Sequence, residues 1–434
     1  MKKTGRFIFI LSFSLLISSR IFSLDYTDLS STLSDIFYNL TGENEGTTTF
    51  RSLLIPAGGR AESLGCAFTG LSDDVSYIDY NPAASSILKQ TEIAFFHNSW
   101  IADSNMETIA ATTRFGNLGV GGKISCFYLP FTEYNSFGER VAGSYYSETT
   151  GAVNIAYNIA PGYTFKGLAV GINGKVSWRQ MPDYTDNDTN EIIQESGLKQ
   201  SALAIMGDIG IMCQFNAAKF FNSRDANFRI GFSATNLGAA LTGFGSNPEL
   251  SADDPLPATF GVGISYRIIA PLTLTAEFRQ PVNLFDMNEY QFFYAGLGAS
   301  MNITSFFSVL AGFQLKGANP KFSLGGEFEY SKLRFNANYT LDLTSSFNPV
   351  NRISLQAKIL LGDKGRKEKE DKVYELYNEG IYFFANKDYE KAVEKWKAAL
   401  LIDRYFDPAK TGIKIASEYV TMLKEMGSIS NTEK

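Results

Sequence analysis

A two-residue alternation of apolar and polar side chains runs through most of residues 92–361 and constrains the fold more than any other feature. It is clearest in a segment whose apolar face carries Leu168, Val170, Ile172, Val176 and Trp178. Successive side chains of a β-strand point to opposite sides of the sheet, so this period predicts strands with unlike faces. Alternation alone does not separate a soluble sandwich from a barrel.

Segment length favours the barrel. Most alternating segments run for about 10 to 13 residues, which is enough to cross a bilayer when tilted and longer than strands of globular sheets. Fourteen segments can be drawn, near residues 92–99, 107–115, 117–127, 147–158, 167–179, 202–215, 227–236, 258–268, 271–280, 291–302, 305–316, 321–330, 332–343 and 351–361.

The connections between these segments alternate in length, as they do in bacterial barrels with short periplasmic turns and longer extracellular loops. Tight turns follow even-numbered segments, at Gly116, 269–270, 303–304 and Ser331. Long connections follow odd-numbered segments, at 128–146, 180–201, 237–257, 281–290 and 344–350, whereas 216–226 and 317–320 are mild exceptions. The sequence therefore predicts an all-β transmembrane barrel of about 14 antiparallel strands in outer-membrane lipid, with both chain ends on the periplasmic side.

Composition agrees with a sheet that faces lipid. Aromatic residues make up 14% of the chain and charged residues only 19%, which is low for a water-exposed surface. The net charge of −6 and the lack of a clustered basic face give no reason to expect nucleic-acid binding. Three cysteines, Cys66, Cys126 and Cys213, show no Cys-x-x-Cys spacing, so neither a metal nor another cofactor is expected.

The N-terminus has the features of an export signal. Lys2, Lys3 and Arg6 precede an apolar run over residues 7–18 that is too short to span a bilayer as a helix. We expect a signal peptide over residues 1–23, with cleavage near Ser23. No later apolar run reaches about 18 residues, which argues against a helical membrane protein.

Residues 24–91 lack the two-residue period and are not expected in the barrel wall. A short amphipathic helix is predicted from the spacing of Leu29, Leu33, Ile36, Phe37 and Leu40. Further along, Asn81 can cap a helix that begins at Pro82, because Asn accepts a backbone N–H and proline has none to leave unpaired. An ordinary helix start is the alternative explanation of the Asn-Pro-Ala run.

The run from Gly65 through Asp73 and Asp74 to Tyr80-Asn81-Pro82-Ala83 resembles the N-terminal hatch of FadL-like outer-membrane transporters and the related PorV/PorQ group. The resemblance covers about residues 50–361. It implies a hatch over residues 24–91, in the lumen of a barrel over residues 92–361, and places in that hatch Gly58, Gly59, Gly65, Asp73, Asp74, Asn81, Pro82 and Ala83.

The functions implied by the resemblance differ. The FadL-like branch implies passive, hatch-gated uptake of small hydrophobic, fatty-acid-like ligands. The PorV/PorQ branch implies an adaptor barrel for protein secretion or surface attachment, and a structural porin is a third alternative. The chain departs from the pattern in having no strongly hydrophobic extended loop within 128–146 or 237–257 to form a ligand groove.

Charged residues within the strands alternate with the apolar face and are predicted to point into the lumen. They would pair with each other or with the plug, or else tune selectivity. The predicted lumen-facing charges are Lys175, Arg179, Arg267, Glu277, Arg279, Glu327, Glu329, Arg334, Asp342 and Lys358.

The C-terminal region is predicted to be a charged linker over 362–372, followed by a periplasmic helical domain over 373–434. The spacing of a tetratricopeptide repeat (TPR) is matched by Gly380, Phe383, Ala392, Trp396 and Ala399. A single repeat rarely folds alone, so we expect this domain to dock on the barrel rim, the cell wall, or a periplasmic or secreted protein. The alternative is a helical hairpin that only caps the lumen.

Catalytic motifs are sparse. The single histidine, His97, shares a strand face with Ser99, a spacing that a base and nucleophile could use. No acid stands at an evident sequence position to orient the imidazole, and the neighbouring Trp100 is read as part of an aromatic belt at the membrane interface. Gly121-Gly122-Lys123 lacks the rest of a phosphate loop, and Asp73, Asp74 and Asp79 lack calcium-loop spacing. The sequence thus predicts no enzyme.

Overall fold

The computed structural model describes residues 48–432 apart from 135–136, 163–164, 187–190, 222, 224, 287–290, 317–318 and 344–349. The predicted signal peptide and the predicted helix over residues 29–40 lie outside the described residues. Within the described part of the chain, every helix is too short or too polar for a membrane-spanning helix.

Fourteen antiparallel strands form one closed barrel in which β1 pairs with both β2 and β14. This confirms the predicted strand number, strand direction and closure. The strands are β1 (Glu92–Ser99), β2 (Asn105–Phe115), β3 (Leu118–Tyr134), β4 (Arg140–Ile159), β5 (Phe165–Gln180), β6 (Ala202–Phe215), β7 (Phe228–Thr242), β8 (Ala258–Ile269), β9 (Leu272–Val282), β10 (Tyr294–Asn302), β11 (Phe307–Lys316), β12 (Asn319–Tyr330), β13 (Leu333–Asp342) and β14 (Val350–Leu360).

Two predicted loops are partly strand. Most of 128–146 extends the β3–β4 hairpin, with a register shift at Glu133 and Tyr134, and β7 continues to Thr242 within predicted loop 237–257. The β3–β4 extension is rich in aromatic residues, which favour paired strands. The lengths of these two connections, taken from where the alternation weakens, were therefore overestimated.

The barrel is apolar outside and polar inside. Val153, Leu324 and Ile205 point outward and are 69%, 60% and 58% exposed, whereas inward Ser177 and Asn154 are buried. A soluble protein would bury the apolar face instead. The alternation in the sequence therefore corresponds to a wall with an apolar outer surface.

Residues 48–91, here called the inner segment, run through the lumen. The end of the barrel at Glu92 and Leu360 is called the terminal end, and the opposite end the far end. Thr49 donates its N–H to the Pro255 carbonyl at the far end (3.0 Å), and Thr91 donates to the Gly362 carbonyl at the terminal end (2.8 Å). The predicted placement of the chain's N-terminal end on the periplasmic side concerns residues outside the described range.

The inner segment has little regular structure. It contains three 3₁₀ turns, Arg51–Leu54, Val75–Asp79 and Pro82–Ser86, and one short helix, α1 (Gly59–Ser63). Between β5 and β6 lies another short helix, α2 (Ser196–Gln200). The segment is held by contacts with the wall more than by its own secondary structure.

Three helices follow the barrel: α3 (Arg366–Ala385), α4 (Tyr389–Ile402) and α5 (Asp407–Thr432). Residues 366–372, assigned by sequence to the charged linker, form the first turns of α3. The helices share an apolar cluster that includes Val373, Trp396, Phe406 and Ala409. Arg366 also donates to the Arg114 carbonyl (3.0 Å), which joins the start of α3 to the barrel.

Candidate functional site

Inward-facing glycines in the wall let the backbone of the inner segment touch the strands. A Cβ added at Gly312 would lie 2.0 Å from the Gly65 nitrogen, and one at Gly171 would lie 2.3 Å from the Pro82 carbonyl oxygen. Neither position leaves room for a side chain. The wall and the inner segment therefore fit closely at Gly65 and Pro82, two of the predicted hatch residues.

The Asn-Pro-Ala run fixes the inner segment to the wall. Asn81 accepts the Ala83 N–H (3.1 Å) and donates to the carbonyls of Thr69 and Ile211 (3.1 Å each). The predicted cap at Asn81 with Pro82 at the first position is confirmed, on a 3₁₀ turn. Ile211 belongs to β6, so the Asn81 side chain both caps the 3₁₀ turn and binds the inner segment to the wall.

Gly58, Gly59 and Gly65 bring the chain round α1 along the wall. All three have positive φ, at 110°, 67° and 62°. Glycine adopts this region without the steric cost that a Cβ imposes. Gly59 also lies against the Gln356 side chain, so a larger residue would meet both backbone strain and β14.

Buried ion pairs hold the inner segment in the terminal half of the lumen. Lys358 Nζ lies 2.7 Å from Asp74 Oδ2 and 3.8 Å from Glu327. Arg60 donates to both carboxylate oxygens of Asp73 (3.0 Å each) and lies 3.4 Å from Glu327. Charges of both signs therefore compensate one another where water is largely excluded.

These ion pairs lower the pKa values of Asp73 and Asp74. Burial acts to raise the pKa of Asp74, but the Lys358 ammonium and neighbouring cations outweigh it and the pKa is lowered. Burial likewise acts to raise the pKa of Asp73, and the Arg60 guanidinium reverses the effect to hold that pKa well below its usual range. Both carboxylates are therefore stabilised in their charged form.

The ten charges predicted to face the lumen all lie on strand positions of the inner face. Glu277 accepts the N–H groups of Phe68 and Thr69 (2.6 and 2.5 Å) and pairs with Arg279. The others bind the inner segment, neighbouring strands or the rim: Lys175 to Asp208, Arg179 to Thr49, Arg267 to Asp225, Glu327 to Arg60, Glu329 to Arg334, Asp342 to Arg352, and Lys358 to Asp74.

Sequence reasoning selected Asp73 and Asp74 in the inner segment but missed two other charges there, Arg60 and Glu62. Arg60 and Glu62 are both buried, and Glu62 accepts a hydrogen bond from Thr340 (3.2 Å). Irregular chain has no period from which a side-chain direction could be read. Arg352 was visible on the charged face of the last strand but was not selected.

A chamber of about 480 Å³ occupies the far half of the lumen. The inner segment lines it at two levels, with Leu53 and Ile55 near the far end, where Leu53 packs with Leu256, and with Asp79 and Tyr80 deeper in the lumen. Met106 and Phe127 add apolar surface on the wall. The chamber is thus bordered toward the terminal end by part of the segment that the sequence assigned to the hatch.

Two cationic side chains lie on one side of this chamber, next to the Trp100 ring. The Arg352 guanidinium lies 3.8 Å from the Trp100 ring centroid and Lys321 lies 5.7 Å from it. Asp342 pairs with both, at 2.7 and 2.8 Å. The placement of Trp100 in a membrane-interface belt is therefore wrong: its ring turns inward, where cation–π contact is available.

On the outer surface, His97 has the partner that the sequence did not reveal. His97 Nδ1 lies 2.7 Å from Glu107 Oε1, and Nε2 lies 3.2 Å from Ser99 Oγ. Glu107 stands opposite His97 in the register of β1 and β2. The expectation that no acid orients the imidazole is wrong, because hairpin register brought together residues that share no local motif.

The five residues selected for repeat-like packing meet between α3 and α4. Trp396 is buried and donates to the Tyr377 carbonyl (3.1 Å). A Cβ at Gly380 would lie 2.3 Å from Trp396 Nε1, so a small residue is required there. Ala392 and Ala399 are buried in the same cluster, with Phe383 packed at its edge.

The fold and lumen define a closed fourteen-stranded β-barrel that holds residues 48–91 inside. The chain belongs to the uncharacterised protein family UPF0164, whose model matches residues 30–364. A UPF0164 protein of Treponema pallidum (strain Nichols) is 27% identical over 394 residues, covering 89% of this chain and 86% of the relative. A second from the same organism is 27% identical over 396 residues, covering 89% and 78%.

Solved structures with a similar fold include the Ralstonia pickettii toluene transporter TbuX, at 12% identity and TM-score 0.44, covering 70% of this chain and 98% of that one. The P. putida toluene transporter TodX matches at 11% identity and TM-score 0.45, covering 70% and 96%. A Pseudomonas aeruginosa FadL homologue matches at 10% identity and TM-score 0.39, covering 74% and 99%.

Proposed function

We propose that this protein is an outer-membrane barrel for passive uptake of small hydrophobic molecules, with the inner segment as its hatch. The observation that carries the proposal is the chamber, which lies in the far half of the lumen above a closely fitted inner segment. This arrangement provides a binding space on one side and a barrier on the other.

The wall suits a bilayer. Hydrocarbon offers no partner to unpaired backbone groups, so a spanning sheet has to close on itself, as this one does. Its exposed outer residues are mainly large and apolar, among them Val153 and Leu324. The tail helices then lie on the terminal side, which we assign to the periplasm.

The chamber suits a small organic molecule. Its volume of about 480 Å³ lies within the range of roughly 300–1,000 Å³ found for ligand pockets. Leu53, Ile55, Met106 and Phe127 offer apolar contacts, while the cations near Trp100 provide polar ones. The lining also carries charged side chains on several strands, including Lys123, Glu148 and Lys316, so we expect an amphipathic solute with an apolar part.

Release toward the terminal end requires the inner segment to move, because Gly65 and Pro82 contact the wall at backbone level. Gating is thus assigned to undocking of residues that include Asp74 and Asn81. The wall can stay closed while this occurs, because its hydrogen bonds do not depend on the inner segment.

The test combines ligand identification with flux. Lipid extracts of the purified protein are analysed by mass spectrometry, and uptake of a labelled fatty acid is measured in phosphatidylcholine vesicles. We expect a co-purifying apolar molecule and saturable flux, both lost in Met106→Arg, which places a charge in the chamber. Leu401→Arg, on the exposed surface of the tail, is the matched control. A lumen sealed to every solute tested, with no bound molecule, contradicts the proposal.

A second candidate function is an adaptor that holds a secreted or periplasmic protein. It is favoured by apolar side chains left exposed on the helices, including Tyr382, Leu401, Met422 and Leu423. A TPR-like unit this small gains stability by docking. Deleting the chain from Arg366 onward should then abolish surface display of the partner. Intact display with intact flux supports the transporter, and unselective leakage of all small solutes supports a structural porin.

A further inference from the structure

Three side chains meet on the outer face of the β1–β2 hairpin, near the far end of the barrel. Glu107 Oε1 lies 2.7 Å from His97 Nδ1, and Ser99 Oγ lies 3.2 Å from His97 Nε2. The histidine is thus held between a carboxylate on one nitrogen and a hydroxyl on the other. His97 is the only histidine in the chain.

The fold itself produces this arrangement. Residues 97 and 99 are two apart on one strand, so both side chains point outward with exposed Phe95. The hairpin register sets Glu107 directly opposite His97 and Asn105 opposite Ser99. Trp100 N–H donates to the Ser104 carbonyl (2.8 Å) and closes the turn that holds the register.

The surroundings are apolar on β14 and toward the terminal end, while Asn105 accepts a hydrogen bond from Ser99 (3.4 Å) and Cys126 stands opposite Glu107 on β3. On β14, Leu355 pairs with His97 in register and is exposed, and Ile353 lies still nearer the far end. Phe95 and Ile109 are exposed on the terminal side of the group. Ionisable side chains on the lipid-facing surface of a barrel are costly unless they are paired and near the interface. The three polar groups therefore lie within the apolar outer surface and not in a water-exposed loop.

We propose that Ser99, His97 and Glu107 form a hydrolytic triad that cleaves acyl esters of lipids lying against the outer face of the barrel. A nucleophile, a base and an acid that orients the base recur in this geometry on unrelated folds and in any chain order. This activity is separate from passage through the lumen, because the triad and the chamber lie on opposite faces of the wall.

The chemistry balances with water as the second reactant. Ser99 Oγ attacks the ester carbonyl carbon while its proton moves to His97 Nε2, and an Oγ–carbon bond forms. The carbon–oxygen ester bond breaks, and the alcohol leaves with the proton from His97. Water then attacks the acyl-serine, giving its proton to His97 and its hydroxyl to the acyl group. The Oγ–carbon bond breaks, the free fatty acid departs, and Ser99 Oγ takes the proton back from His97 Nε2.

Each residue has a distinct role. Ser99 and His97 are catalytic residues, because they contact the reacting atoms. Glu107 is a positioning residue, since its carboxylate binds Nδ1 and leaves Nε2 free to take the serine proton. Phe95 and Leu355 would support the acyl chain beside Ser99.

The experiment uses the full-length protein in phosphatidylcholine vesicles and a fluorophosphonate probe. We expect the probe to modify Ser99, located by mass spectrometry, and fatty acid to be released from the vesicles. Ser99→Ala and His97→Ala should lower hydrolysis at least about 100-fold and abolish labelling. Ser147→Ala, an outward-facing serine with no histidine beside it, should leave both unchanged.

The positioning role has its own readout. Glu107→Gln should lower kcat and the labelling rate while KM stays the same, and Glu107→Asp should restore part of the loss. Heat-modifiable electrophoretic mobility verifies that each variant retains the folded barrel. Equal hydrolysis in the wild type and in Ser99→Ala, or no labelling of the folded wild type, would overturn the proposal and leave a surface ion pair only.

Discussion

Asp74 and Lys358 connect the inner segment to the wall through an ion pair with almost no solvent contact, at 1% and 0% side-chain exposure. Such a pair adds little stability over an apolar one, but removing one member leaves the other charge buried. Asp74 also accepts the Ser76 N–H (2.9 Å), so the same carboxylate starts the next turn. Docking of the inner segment is therefore sensitive to this single group.

Asp74→Asn is expected to weaken docking of the inner segment by about 3 kcal/mol, because Lys358 loses its nearest charge. Hydrogen exchange of amides in residues 65–85 measures the effect. Lys89→Met removes a more exposed ion pair with Asp225 and should cost less than about 1 kcal/mol. Equal protection in Asp74→Asn and the wild type contradicts the role assigned to the pair.

Docking should also depend on pH. The pKa values of Asp73 and Asp74 are lowered in the folded protein, so their contribution is complete above the ordinary aspartate pKa of about 3.9 and is lost as pH falls through the folded values. Conductance across planar bilayers should stay low from neutral pH down to about 4 and rise below it. Onset of leakage near neutral pH would assign the barrier to other groups.

The roles of some residues could be predicted from the sequence close to them. The cap at Asn81 could be inferred because it acts within two residues, and inward Lys358 could be inferred from strand period. Arg60 lies in irregular chain, and Glu107 meets His97 through hairpin register, so neither contact is encoded by neighbouring residues. The position of Glu107 beside His97 and Ser99, and the inward direction of the Trp100 ring, became apparent only from the three-dimensional fold.

Among the elements, the inner segment can lie against the wall only because inward-facing glycines of the strands leave space for its backbone. Gly312→Val should push Gly65 away from β11, because the added Cβ would lie 2.0 Å from its nitrogen. We expect raised ion conductance and faster proteolysis within residues 50–91. Gly151→Val is the matched control, since Gly151 has no neighbouring atom within 4 Å of an added Cβ. A Gly312→Val barrel as closed as the wild type would contradict backbone-level docking.

The tail helices depend on Trp396, which fills the space that Gly380 and Gly412 leave. Trp396→Ala should cost about 3–5 kcal/mol and melt the helices without opening the barrel. Far-UV circular dichroism follows the helices, and heat-modifiable mobility follows the barrel. Exposed Leu401→Ala should change stability by no more than about 0.5 kcal/mol. Loss of the barrel together with the helices would show that the two parts unfold as one.

Strand elements were the most predictable because each repeats its pattern over many residues. The same rule failed for the β3–β4 hairpin, where pairing continues to Tyr134 and Arg140 although the sequence suggested a loop. Residues 366–372 were assigned to a linker from their charge, which alone does not distinguish a solvated helix from coil. The two-residue period therefore predicts that a strand exists better than it predicts the residue at which the strand ends.

At the scale of the whole molecule, the barrel has an arrangement of polarity that is inverted relative to a soluble protein. The inner face carries buried polar groups that contact one another and the inner segment, and the outer face carries exposed aliphatic and aromatic side chains. The proposed uptake, hatch and lipid hydrolysis all require this arrangement. It separates an apolar outer surface from an enclosed polar lumen.

The most direct test of the central claim is spin-label accessibility in phosphatidylcholine vesicles, with the three native cysteines replaced. Labels at outward Val153, Ile205 and Leu324 should collide more often with lipid-soluble oxygen than with an aqueous nickel complex. A label at inward Ser177 should show low accessibility to oxygen. Preferential nickel contact at all three outward positions would contradict a membrane-spanning barrel.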